Sequence, residues 1–204
     1  MRDTLRHQVR WSILALGLVS ALVAGAHTLG VVAPADHWFW NSFGLWSGIV
    51  CAAVSLGWQA AMLGACRILD GAGPVTAWQE SERHRLLAAG FGRALFCGTL
   101  LVLAEELLLR SLLLPLIGSL AVIALAGALR WRAGRRATLW GMAQALLLTA
   151  VALFTSNTLA ALVAHLLTEI IWLSYLALAP WRPGFALTQF SGAGNLSEAI
   201  SEVP

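Results

Sequence analysis

The sequence predicts an all-α, polytopic transmembrane helical bundle of about six spans, with a polar site near the middle of the bilayer. Three observations carry this. Of 204 residues, 59% are apolar and only 11% charged, against about 25% charged in a soluble domain. Six apolar segments recur along the chain at lengths suited to membrane helices. Three of them carry strongly polar side chains that are expensive at membrane depth, by about 2.5–3.5 kcal/mol for each charged group on insertion scales.

The first segment, 11–33, follows Arg2, Arg6 and Arg10. It is too long for the apolar core of a signal peptide and is expected to be retained as a first span. Its Gly17, Ala21 and Gly25 form a small-xxx-small stripe, expected to pack closely within the bundle. Pro34 to Asn41 is an aromatic interfacial turn leading to the second segment, 43–66. Asp70 to Arg85 is a polar connector with the character of an amphipathic surface helix. The third segment covers 94–114. The fourth, 116–131, follows Pro115 and is short, about 24 Å at 1.5 Å per residue, so a tilted or partial crossing is expected. Arg130 to Arg136 forms a tight basic loop before the fifth segment, 137–154, and the sixth covers 159–179. Residues 1–181 are thus read as one transmembrane bundle, and the polar tail 182–204 as disordered.

All thirteen basic residues are arginine. With both termini cytoplasmic, every arginine outside the spans falls on the inner side, and the outer loops around Asp36 and Asn157 carry none. Trp11, Trp38, Trp40, Trp131 and Trp181 fall at the expected interfaces, as belt residues do. Arginine placed this way serves topology and lipid head groups; no basic stripe with polar neighbours marks a nucleic-acid reader. Cys51, Cys66 and Cys97 lie in or at the ends of apolar segments without CxxC spacing, and are read as small buried hydrophobes.

The polar groups within the spans point to chemistry. Glu105 and Glu106 follow Leu100–Ala104 in an almost unbroken apolar run that ends at Arg110. Glu106 and Arg110 are i,i+4 in the favourable order; Glu105 is left without an obvious partner. His165 and Glu169 are also i,i+4 and share one helix face. Glu105 lies about 18 Å along its helix from Arg93, Gln144 about 12 Å from Arg136, and Glu169 and His165 about 20 and 25 Å from Arg182. In a core about 30 Å thick, these groups can converge on one intramembrane site.

The pattern resembles the CPBP family, the CAAX prenyl proteases of the second type and related "Abi" bacteriocin-processing membrane proteases. The first motif, EExxxR, is matched by Glu105-Glu106-x-x-x-Arg110. The second, FxxxH, corresponds to Trp140-Gly141-Met142-Ala143-Gln144, and the third, HxxxN or HxxxD, to His165-x-x-x-Glu169. The resemblance covers about residues 95–180. It implies an intramembrane endopeptidase, in a bacterial cytoplasmic membrane, acting on a membrane-embedded or lipidated peptide without a cofactor. Glu105 would be the base that activates water, Glu106 and Arg110 its electrostatic setting, and His165 an oxyanion donor.

Two positions depart from the pattern. Gln144 stands for a histidine, and an amide cannot accept a proton. Glu169 stands for Asn or Asp, and an ionised carboxylate only accepts hydrogen bonds. Two other readings therefore stay open: a catalytically silent relative that binds membrane peptides as an immunity, chaperone or assembly factor, and a divalent metal held by Glu105, Glu106, His165 and Glu169.

Overall fold

The computed structural model describes residues 2–31, 41–70, 72–131 and 135–178. All regular structure among them is helical: α1 (Arg2–Thr28), α2 (Ser42–Asp70), α3 (Ala72–Ala89), α4 (Phe91–Glu106), a π-helical segment (Leu107–Leu113), α5 (Leu114–Leu129), α6 (Arg135–Thr155) and α7 (Thr158–Leu178). Five helical stretches among the described residues are long and apolar enough to cross a membrane: Val9–Thr28, Ser42–Ile68, Phe91–Leu129, Thr138–Thr155 and Thr158–Leu178. The aromatic turn at 34–40, Trp181, Arg182 and the tail lie outside the described residues, as do residues 132–134 of the basic loop.

The third and fourth expected segments run together through Pro115, and the helix breaks three residues beyond it. Pro115 sits at the start of α5, where its missing N–H costs little. The break comes at Gly118, whose φ of 79° and ψ of 169° are non-helical and suit a residue without Cβ. Beyond it, residues 119–129 make a helix of only about 16 Å. This piece folds back on the π-helical segment and packs on α6. Leu109, Val122, Ala126 and Ala145 form one sealed apolar cluster across these three elements. The folded-back helix ends beside α4 at the level of Glu105, which is what builds the site.

The helix packing corrects a second expectation. Gly17 and Gly25 face open space, with nothing within 4 Å of where a Cβ would stand, and Ala21 is exposed. Helix α1 instead turns Ser12 and Val19 inward, toward α4 and the π-helical segment. The close-packing stripe is on α2. A Cβ on Gly48 would stand 2.7 Å from the Ala160 carbonyl oxygen, and one on Gly44 would stand 2.7 Å from Asn157 Nδ2. Cys51, Ser55 and Gln59 continue that buried face. Helices α2 and α7 therefore touch almost backbone to backbone, as small residues permit in membranes.

Helices α6 and α7 are joined by a tight turn that holds them side by side. Ser156 takes φ 48°, its N–H reaches Leu153 O, and the Asn157 N–H reaches Ala152 O, the pairing of a Schellman C-cap. Asn157 Oδ1 then accepts the Leu159 N–H at 2.9 Å as the cap of α7. Residues 72–85 of the polar connector form most of α3, which packs on α2, α4 and α7. The rings of Trp11 and Trp131 are exposed.

Candidate functional site

Glu106 is the last residue of α4, and the helix widens at once into i→i+5 pairing, with the Leu114 N–H reaching Leu109 O. Such π-turns cost backbone geometry and recur at functional sites. Arg110 lies within this segment, and its Nη1 donates to Glu106 Oε1 at 2.8 Å, with both side chains sealed at 0% exposure. The same carboxylate oxygen lies 2.6 Å from Nδ1 of His165, on α7. Arg110, Glu106 and His165 are thus one buried chain linking α4, its π-helical extension and α7. Glu106 Oε2 and Arg110 Nε and Nη2 make no further hydrogen bond among the described residues. Ion pairs sealed with unmatched polar capacity are poor stabilising devices.

Glu105 does have a partner, and the sequence reading missed it. Arg130, at the end of α5, donates from Nη1 to Glu105 Oε1 at 3.2 Å and from Nη2 to Oε2 at 3.3 Å. Its Nη1 also reaches Ala126 O at 3.3 Å. The two-point fork is the geometry in which guanidinium recognises a carboxylate best. Its stem lies on Gly141 of α6, where a Cβ would collide with Arg130 Cδ. Arg130 is therefore not simply a residue of the basic loop: the fold-back at Gly118 carries it to Glu105. Unlike the sealed chain, this pair is reachable, with Arg130 28% and Glu105 23% exposed.

Of the remaining expected residues, Glu169 is on α7 and Gln144 on α6. Glu169, one turn beyond His165 on α7, lies against α4 at Gly98, where a Cβ would stand 3.3 Å from its Oε1. His165, Glu105 and Arg130 are all within electrostatic range of it, and His165, Arg130 and Arg110 are within range of Glu105. Cys51 on α2 borders the sealed end, within range of Glu106 and Arg110. Gln144 is half-buried on the α6 face between Gly141, which lies on Arg130, and Leu148, which packs with Cys51, Ala161 and Ala164. It makes no side-chain hydrogen bond among the described residues. Among those residues, no group of three or more His, Cys, Asp or Glu side chains is placed to hold a metal ion, and the three cysteines are free.

The arrangement has two layers. A sealed chain of Arg110, Glu106 and His165 fixes the imidazole through Nδ1 and leaves Nε2 as its only nitrogen for further chemistry. A reachable layer of Glu105, Arg130 and Glu169 lies beside it. Comparison with protein-family models, with curated proteins and with solved structures finds no match to this chain.

Proposed function

We propose that this chain is an intramembrane endopeptidase of the CPBP type, hydrolysing a peptide bond of a membrane-embedded or lipidated substrate with Glu105 as the base. The observation that carries this reading is the convergence of Glu105, Glu106, Arg110 and His165 from two separate motifs into one layered cluster. Two carboxylates, two guanidiniums and an imidazole at membrane depth are costly. The sealed pair adds little net stability, so a chemical role accounts for the cluster better than a structural one.

In this mechanism Glu105 takes a proton from water as the water oxygen bonds to the substrate carbonyl carbon. The carbonyl oxygen becomes an oxyanion, the C–N bond then breaks, and the proton passes to the leaving nitrogen. Arg130 holds both Glu105 oxygens at rest, so its fork must loosen on at least one side before Glu105 can accept a proton. Glu106 holds His165 by Nδ1, as carboxylates orient imidazoles in other hydrolytic sites. In this reading Nε2 replaces the proton acceptor that Gln144 lacks, while Gln144 positions the water. This assigns His165 a proton-handling role in place of the oxyanion role that the resemblance implies.

One observation favours the silent, peptide-binding alternative: the carboxylate expected to act as base is fully engaged by Arg130. A reconstitution experiment separates the two. The purified chain in liposomes, presented with membrane-anchored peptides, is expected to cleave a subset of them, the Glu105→Gln variant to cleave none, and Gln144→His to cleave faster. Binding of the same peptides without cleavage by wild type and by Gln144→His would instead establish the silent reading.

A further inference from the structure

The proposed hydrolysis leaves one developing charge without a donor. When water adds to the carbonyl carbon, the C=O electron pair moves onto oxygen, and an oxyanion in a dry site needs fixed donors. His165 is held at Nδ1 by Glu106, and its Nε2 has the proton-handling role. Gln144 is assigned the water. Glu169, as a carboxylate, can only accept hydrogen bonds, and Arg110 is sealed at 0% exposure. Among the described residues of the cluster, Arg130 is the cation that a ligand can reach.

The Arg130 pair is built differently from the sealed one. Its two contacts to Glu105 are 3.2 and 3.3 Å, against 2.8 Å between Arg110 and Glu106 and about 2.7–2.9 Å for charge-assisted bonds in general. Its two terminal nitrogens are also unequal. Nη1 is shared between Glu105 Oε1 and the Ala126 carbonyl oxygen, whereas Nη2 has Glu105 Oε2 as its one partner among the described residues. The stem is confined where it passes Gly141, since a Cβ there would collide with Arg130 Cδ. A guanidinium anchored by its stem and Nη1 can therefore release Oε2 from Nη2 and keep its place. A water activated by Glu105 stands about 2.6–3.2 Å from the carboxylate, and the carbonyl oxygen it attacks is two bonds further, beside the same guanidinium.

We infer that Arg130 is the oxyanion donor of the site: as Glu105 takes up the proton, Nη2 exchanges Oε2 for the forming oxyanion. One O–H bond of water breaks and its proton goes to Oε2. The water oxygen bonds to the carbonyl carbon, and the carbonyl electron pair moves onto oxygen. The negative charge thus passes from Glu105 to the oxyanion, and the same guanidinium faces it before and after. No charge is left unpaired where that is costly. The catalytic meaning of this exchange rests on the peptidase reading, but replacing one anionic oxygen by another at Arg130 requires no bond cleavage.

The test is calorimetric titration of the full chain in phosphatidylcholine nanodiscs with methyl hexylphosphonate, a tetrahedral monoanion, and with its neutral counterpart dimethyl hexylphosphonate. Glu105→Gln removes the competing charge, as protonation does. It is expected to bind the monoanion about tenfold or more tightly than wild type, with binding of the neutral ester unchanged. Adding Arg130→Gln to Glu105→Gln is expected to abolish the gain. A pair that merely ties α5 to α4 would give no gain when Glu105 is neutralised. Equal binding of the monoanion by wild type and Glu105→Gln overturns the inference, as does a gain that survives in a folded double variant. For peptides that wild type cleaves, Arg130→Gln is expected to lower kcat by about 10²–10³-fold, the effect of removing one oxyanion donor, with KM nearly unchanged. Unchanged kcat would overturn the inference and leave the peptidase reading standing. A gain in monoanion binding without cleavage of any peptide would count against the peptidase and leave the exchange at Arg130 standing.

Discussion

Replacing Arg110 by methionine leaves the stem's apolar contacts largely intact and removes the charge that faces Glu106. At the observed 2.8 Å, two unit charges attract by about 6 kcal/mol at an effective dielectric near 20. Desolvation of both groups takes back much of this, and removing one partner of such a buried pair costs about 3–5 kcal/mol. His165 shares the same carboxylate oxygen and retains part of the compensation, so the lower end, about 3 kcal/mol, is expected. Glu106→Gln alone should also destabilise, because it strands the guanidinium. The double variant should be less destabilised than the two single losses summed, by about 2 kcal/mol, since no charge is then left buried without its partner. Titration with SDS in mixed micelles, followed by far-ultraviolet circular dichroism, reads all four proteins of the cycle. An Arg110→Met protein within about 0.5 kcal/mol of wild type, the range of ordinary surface changes, would refute the buried pair, as would strictly additive single effects.

Three further outcomes follow from the packing. Gly48→Ala places a methyl against the Ala160 carbonyl oxygen and should cost about 1–3 kcal/mol, whereas Gly17→Ala, which meets open space, should be neutral or slightly stabilising; the same titration compares them. Gly118→Ala has room for its methyl but strains φ at 79°, and should lower stability by about 1–2 kcal/mol; no loss would place the fold-back elsewhere. Gly141→Ala should displace Arg130 from Glu105 without altering either charge. Its stability loss should therefore fail to add to that of Arg130→Ala when the two are combined.

The helical class and the Glu106–Arg110 pair were legible because one follows from composition and the other from a local i,i+4 spacing. Arg130 was not. Its place after an apolar segment reads as an interfacial anchor, and its 25-residue reach to Glu105 depends on a chain reversal set by one glycine's backbone angle. Pro115, the stronger local punctuation, drew the expected boundary three residues too early. The two small-residue stripes teach the same lesson. Gly17/Ala21/Gly25 and Gly44/Gly48 look alike in sequence, and only the position of the partner helix decides which is buried. Gln144 and Glu169 were identified as departures from a motif, but what each touches is set by α4 and α6 together and cannot be read from either helix alone.

In the proposed mechanism Glu105 activates water for peptide hydrolysis inside this cluster. This is tested most directly by following cleavage of membrane-anchored peptides in heavy-oxygen water by mass spectrometry, for wild type and Glu105→Gln. One heavy oxygen is expected in the new C-terminal carboxylate of the wild-type product, and no product from Glu105→Gln. Cleavage by Glu105→Gln at the wild-type rate, or product that carries no heavy oxygen, would contradict it.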